Sequence, residues 1–222
     1  MSFGEPIALR AQAELEAAVP ATAADVRALD AEAQFIEKLK AGDAWAFDRL
    51  VAERSADIYA LLYRLTEDRE EARDLTQETF LQAFRHVSAF RGDADLRTWL
   101  YRIAVNQARN RWRWWRRRRR EVTFSLDDAG QEGRAGANLG ARLPDESAPD
   151  PEQNALARER ESVLLAALGT LSRNYREVVV LRDIEGLSYE EVAATLDISV
   201  GTVKSRLSRG RNELRRRLEG SL

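Results

Sequence analysis

The sequence predicts an all-α protein of two small helical domains joined by a flexible acidic linker, and three observations predict it. Apolar residues recur at three- and four-residue spacing from Phe35 to about Arg120 and again from near Glu152 to Leu218, with no sustained period-two alternation of a half-buried strand anywhere. Between them, residues 121–154 are broken by Gly130, Gly133, Gly136, Gly140, Pro144, Pro149 and Pro151 and carry eight acids against two arginines, a composition that cannot bury a core. The hydrophobic share of 44% in 222 residues is enough for two small cores and excludes wholesale disorder. The expected organisation is an N-terminal extension over 1–34, a helical domain over 35–120, the linker over 121–154 and a second helical domain over 155–222.

Composition removes several classes of function. There is no cysteine, so a disulfide framework, a thiolate zinc site and a cysteine nucleophile are excluded. The single histidine, His86, leaves little for imidazole chemistry. Asp74 and Glu78 share a helix face, yet no metal partner or cleft is implied beside them, so a nuclease-like reading is remote and neither enzyme activity, metal nor cofactor is expected. No apolar run approaches the roughly 18 residues of a membrane span, and the N-terminus has no leader pattern, so the expectation is a soluble cytoplasmic chain.

The net charge of −2 hides strong segregation. Residues 101–120 hold nine arginines and no acid, and residues 200–222 hold seven basic residues against two acids. Residues 1–35 and the linker are acidic. Two basic blocks separated by acidic chain point to two polyanion-binding surfaces.

Taken in order, Gly42 and Asp43 read as a helix stop and an N-cap before Ala46, Phe47, Leu50 and Val51. A helix from about Arg69 to Val87 sets Phe80, Ala83, Phe84 and Val87 toward the core. Its other face carries Asp74, Gln77, Glu78, Leu81 and Arg85, and a leucine ringed by polar groups resembles a protein–protein hot spot. A third helix follows Asp93, with Leu96, Trp99, Leu100, Ile103 and Ala104 as its buried stripe. Thr98, Arg102, Asn106, Arg109 and Arg113 form another row, suited to following phosphates and reading one base. The run from Arg111 to Arg120 interleaves arginine with Trp112, Trp114 and Trp115, a mixture that suits unstacked bases and phosphates.

Toward the C-terminus, Gly186 ends a helix and Ser188 with Glu191 forms a capping box. Asp197-Ile198-Ser199 makes a tight turn, and Ser199 caps a second helix. On that helix Val200, Val203, Leu207, Leu214 and Leu218 line up inward, while Thr202, Ser205, Arg209, Asn212 and Arg216 lie opposite, flanked by Lys204, Arg206 and Ser208. This is the pattern of a helix-turn-helix whose second helix enters the major groove.

Three segments then resemble one family: Asp74-Leu-Thr-Gln-Glu-Thr-Phe80; Phe90-Arg-Gly-Asp-Ala-Asp-Leu-Arg-Thr-Trp-Leu-Tyr-Arg-Ile-Ala-Val-Asn106; and Gly186-Leu-Ser-Tyr-Glu-Glu-Val-Ala193 with Val200-Gly-Thr-Val-Lys-Ser-Arg-Leu-Ser-Arg209. In this order they resemble the extracytoplasmic-function subfamily of bacterial RNA polymerase sigma factors. The resemblance implies a sigma region 2-like domain and a region 4-like helix-turn-helix domain. It implies that Asp74, Gln77, Glu78, Leu81 and Arg85 dock on core RNA polymerase. It implies that Phe90, Arg91, Gly92, Asp93, Thr98, Arg102, Asn106, Arg109 and Arg113 melt and read the minus-ten promoter element. Thr202, Lys204, Ser205, Arg206, Ser208, Arg209 and Asn212 would read the minus-thirty-five element. Promoter DNA, both duplex and melted nontemplate strand, and an anti-sigma factor are the further partners it implies. It assigns nothing to residues 1–34 or to the Arg116–Arg120 run.

A tether the length of 121–154 has a root-mean-square span of about 30–35 Å, whereas two DNA sites two helical turns apart lie about 70 Å from one another. Neither domain is therefore expected to select a promoter until a larger body fixes their separation. The alternative reading is a stand-alone helix-turn-helix regulator that binds duplex DNA without polymerase. The segment from Gly186 onward fits both, and the Asp74 and Phe90 segments discriminate.

Overall fold

The computed structural model describes residues 23–92, 94–123 and 162–219, with side-chain surroundings defined over 31–118 and 162–219. Residues 124–161, which hold all of the expected linker but its first three residues together with the start of the expected second domain, and most of the N-terminal extension lie outside the described residues, as does Asp93. Residues 121–123 continue the last N-terminal helix instead of opening a linker. Four helices build the N-terminal half: α1 (Ala23–Lys40), α2 (Ala44–Thr66), α3 (Arg69–His86) and α4 (Leu96–Thr123), with a 3-10 turn at Val87–Ala89. The C-terminal half contains α5 (162–170), α6 (Arg173–Val179) running into a π-helical turn at Val180–Ile184, α7 (Tyr189–Leu196) and α8 (Val200–Glu219). No strand occurs among the described residues.

Local chemistry fixes the helix ends. Gly42 takes the left-handed conformation (φ +77°) that closes α1, and the Asp43 side chain accepts the Ala46 N–H at 3.0 Å to open α2. Asp68 accepts from the Glu70 and Glu71 N–H groups, and both acids sit favourably in the first turn of α3. Buried Thr76 and Thr79 return their hydroxyls to the carbonyls of Ala72 and Leu75, so neither is left unsatisfied in the core.

Leu50, Ile58, Leu61, Leu62, Leu75 and Leu100 are fully buried between α2, α3 and α4. Each contributes roughly 1.5–3 kcal/mol by leaving water. Leu168, Val178, Val180, Leu181, Val192, Leu196, Val203 and Leu207 form the C-terminal core. There Gly210 lets α8 lie close on α6, because an added Cβ would stand 2.8 Å from a Val179 methyl and 3.2 Å from the Tyr175 Cβ.

Three departures from expectation stand out. Helix α1 begins at Ala23, well before Phe35, so the N-terminal domain reaches back into the extension; its last turns bury Leu39 and half-bury Phe35 and Ile36. Phe84 is not a core residue. It is 54% exposed and meets Phe47 edge-on at 5.1 Å, because α2 covers only one side of its ring. Finally, the two halves are not independent: α7 packs on α4, and α6 with its π turn packs on α2, so the buried residues of both halves make one continuous core.

Candidate nucleic-acid interface

The outward face of α3 carries Asp74, Gln77, Leu81 and Arg85 exposed, with Glu78 half-buried. Leu81 is 51% exposed, and with Phe84 it gives this face two large apolar side chains inside a charged rim. Sequence periodicity found Leu81 but assigned Phe84 to the core.

The loop before α4 is anchored rather than free. Phe90 is buried against Trp99, ring centroids 5.3 Å apart, so it holds the loop instead of presenting itself to a ligand. Arg91 and Gly92 are exposed, and Gly92 adopts a left-handed φ of +80° that a side chain would strain. The next helix is opened by Asp95, whose carboxylate accepts the Thr98 N–H.

The row expected along α4 divides into two groups. Arg102, Asn106 and Arg113 are exposed, Arg113 donating to Asn110 one turn back. Thr98 and Arg109 instead face the C-terminal half. Thr98 is 4% exposed and donates its hydroxyl to Glu191 at 3.1 Å. Arg109 clasps Glu177 through two nitrogens, the shortest contact being 2.6 Å, and its third nitrogen donates to the Leu196 carbonyl at 2.9 Å. Both residues lie on the expected row, but here they bind a protein surface. The reason is that Glu177 offers the same planar oxygen pair that a phosphate would.

Around them runs an interdomain network that periodicity did not reveal. The Glu177 side chain is 4% exposed and also accepts from Arg173 at 2.7 Å. Glu185, 7% exposed, is held by Arg64 at 2.9 Å and by the Tyr101 hydroxyl at 2.7 Å, while Arg97 donates to its backbone carbonyl at 2.8 Å. Burial, reinforced by the hydrogen bond it donates to Glu185, pushes the Tyr101 hydroxyl well above its ordinary pKa. Arg176 pairs with Glu67 and donates to the Leu65 carbonyl at 3.2 Å. The π turn helps aim Glu185, since its N–H reaches back five residues to Val180. A buried carboxylate of this kind persists only when cations and donors surround it; the N-terminal half supplies Arg64 and Tyr101 to Glu185 and Arg109 to Glu177, which Arg173 of its own half also holds.

The helix-turn-helix forms as its sequence requires. Ser188 and Glu191 exchange both capping-box hydrogen bonds, and Asp197 takes the left-handed φ of +54° that turns the chain. The hydrogen bonds from Ser188, backbone first, hold the Glu191 carboxyl below the usual carboxylate range. The Ser199 hydroxyl accepts the Thr202 N–H at 3.2 Å to start α8. Val203 and Leu207 are buried, whereas Lys204, Ser205, Ser208, Arg209 and Asn212 are exposed and Thr202 and Arg206 half-exposed. Both helices of the motif are thus fixed by the core, and the outer face of α8 is open. Among the described residues no cluster of His, Asp or Glu could hold a metal ion, and no helix is long and apolar enough to cross a membrane.

Comparison with known proteins agrees with this layout. Residues 50–121 match the family model of Sigma-70 region 2, and residues 162–214 match that of Sigma-70, region 4. The chain is 37% identical over 186 residues to the RNA polymerase sigma-H factor of Pseudomonas aeruginosa, covering 84% of this chain and 93% of that protein. It is 34% identical to the ECF RNA polymerase sigma-E factor of Haemophilus influenzae, covering 83% and 93%. Among solved structures it is similar to the sigma factor RpoE in complex with the anti-sigma factor NepR from Bartonella quintana. That match has 28% identity, a TM-score of 0.55, and covers 78% of this chain and 96% of that one. It is also similar to CnrH in complex with the cytosolic domain of CnrY, at 25% identity and a TM-score of 0.59, covering 86% and 99%. Both halves match in the family's order, across nine-tenths of the relatives' length, and the chain therefore belongs to the extracytoplasmic-function family of RNA polymerase sigma factors.

Proposed function

We propose that this chain acts in the cytoplasm as an alternative sigma factor that brings core RNA polymerase to a promoter and opens the DNA there, with the work divided as follows. Residues 35–120, extended back along α1, form the docking and strand-opening domain. Residues 155–222 form the upstream DNA-binding domain, and 121–154 connects them. On α3, Leu81 and Phe84 insert into an apolar site on polymerase while Asp74, Gln77, Glu78 and Arg85 form its polar rim. On α4, Arg102 and Arg113 follow phosphates and Asn106 reads a base, so that binding energy offsets the few kcal/mol needed to unstack each melted base. On α8, Lys204, Ser205, Ser208 and Arg209 enter the major groove upstream, with Thr202, Arg206 and Asn212 beside them.

The observation that carries this reading is the open, capped helix-turn-helix joined in one chain to an α3 face with an exposed apolar centre. A stand-alone regulator needs the first and has no use for the second. The packing of the halves adds a requirement: Thr98 and Arg109 can reach DNA only after α6 and α7 leave α4. Polymerase, by holding the domains apart, supplies that separation. The solved relatives RpoE and CnrH are seen with NepR and CnrY, which supports control of this chain by an anti-sigma factor of its own. Transcription from a randomised promoter library by core polymerase, with and without this chain, tests the reading. Transcripts that depend on the chain and share two upstream sequence elements are expected; no chain-dependent transcripts would overturn it.

A further inference from the structure

The C-terminal part of α4 carries more chemistry than the proposed function uses. Trp112, Trp114 and Trp115 are 46%, 41% and 48% exposed on a helix whose core stripe ends near Ala108. Burying such rings is worth several kcal/mol, so three of them left half in water are poised for a further contact. Arginines flank them: Arg116 stands 5.3 Å from the Trp112 ring centre and Arg118 4.9 Å from that of Trp114, while Trp114 and Trp115 meet edge to face at 5.0 Å. Arg116, Arg117 and Arg118 are exposed, and no acid pairs with them among the described residues.

Three features identify the partner. At about 100° per residue the tryptophans and arginines alternate around the whole helix, with no apolar stripe to lie in a lipid surface. A protein hot spot would place its rings at the centre and its charges at the rim, whereas here guanidiniums stand directly over two of the three rings, Trp112 and Trp114. Alternating rings and guanidiniums suit a polymer that alternates flat bases and sugars with phosphates. The position is also telling, because Arg116–Arg118 lie ten to twelve residues beyond Asn106 on one unbroken helix, about 15–18 Å along its axis. That distance is about five nucleotide steps at roughly 3.4 Å per phosphate.

We propose that Trp112–Arg118 is a sequence-independent DNA clamp that holds the phosphate backbone next to the segment read by Asn106. Arg116, Arg117 and Arg118 take phosphates, and Trp114 and Trp115 pack on sugars or an unpaired base at the edge of the opened strand. Trp112 is the least available ring, because Arg173 of the C-terminal half also stands over it at 4.9 Å; separating the halves frees it. The proposal rests on the sigma-factor reading for the location of Asn106 on DNA, and its test separates the two.

The experiment uses the full chain assembled with core polymerase, titrated by fluorescence anisotropy against a forked promoter fragment at several salt concentrations. The variant R116Q/R117Q/R118Q is compared with the parent, and W115A is read at one salt concentration. Each lost phosphate contact flattens the salt dependence by about 0.9, so three lost contacts remove about 2.7 from the slope. Over a fourfold rise in salt the parent then loses about 40-fold more affinity than the triple variant. At low salt the variant binds more weakly on promoter and scrambled DNA alike, leaving their ratio unchanged, and W115A weakens both equally. A fragment that ends at the minus-ten element erases the difference between variant and parent. Unchanged slope and affinity in a normally assembled complex would overturn the clamp, as would a loss confined to one sequence or a loss of polymerase binding. A parent complex that fails to prefer promoter over scrambled DNA would sink the sigma-factor reading instead, whatever the variants do.

Discussion

Neutralising Glu177 should open the molecule. In Glu177→Gln the side chain keeps its shape, but Arg109 and Arg173 lose the carboxylate they share. Breaking a fully buried ion pair costs about 3–5 kcal/mol. The Arg109 side chain is 20% exposed and that of Arg173 29%, so water recovers part of this and about 2 kcal/mol remains. That shifts the balance between packed and separated halves by about 30-fold. The chain has no native cysteine, so dyes can be placed at Ser88→Cys and Ser208→Cys, both exposed and in different halves. Single-molecule energy transfer then reads the separation directly. The expected result is a marked rise in the low-transfer population for Glu177→Gln and a similar one for Arg109→Gln. The double variant should add little, giving a coupling of about 1.5–3 kcal/mol. Single variants that leave the distance distribution unchanged, or effects that simply add, would refute the claim that this pair holds the halves together.

Three further outcomes follow from the same geometry. Leu81→Asp places a charge at an exposed apolar centre, so polymerase binding should fall at least tenfold in a pull-down while the melting temperature stays unchanged; unaltered affinity would remove α3 as the docking face. Gly210→Ala pushes a methyl to 2.8 Å from Val179 and should cost about 1–3 kcal/mol in denaturant unfolding, whereas Ala at exposed Gly201 should cost nothing. Because the Ser188 backbone N–H, above all, depresses the Glu191 carboxyl, its contribution is present above the ordinary carboxylate pKa and is lost as pH falls through the lower folded value; Glu191→Gln, which removes the titrating group, should flatten that acid limb of a stability-versus-pH curve, and an unchanged limb would contradict the capping argument.

Much of the fold was legible because it is written in local chemistry. Asp43, Ser188 with Glu191, and Ser199 are caps whose partners lie three residues away, and all of them form. The inward stripe of α8 was readable for the same reason. Phe84 was misjudged because period alone does not say how far around α3 its neighbours reach, and α2 stops at one edge of the ring. The start of α1 at Ala23 escaped because an Ala- and Glu-rich stretch favours helix without an apolar stripe to announce it. The interdomain network was the hardest to see. Glu177 sits four residues after Arg173 and reads as a solvated surface pair, while its decisive partner, Arg109, is 68 residues away. Glu185 likewise finds Tyr101 across 84 residues. Thr98 and Arg109 lie on the same α4 row as Asn106, and in the packed chain their partners, Glu191, Glu177 and Leu196, are 68 to 93 residues away, beyond the reach of periodicity.

The most direct test of the account is a titration of promoter duplex with the purified chain alone and with the chain bound to core polymerase, under identical salt. Packed halves that cover Thr98 and Arg109, and a flexible connector whose typical span is about half the promoter spacing, predict weak binding by the chain alone with little preference among sequences. Added polymerase should bring strong preference for one. Tight and selective binding by the chain without polymerase would contradict it.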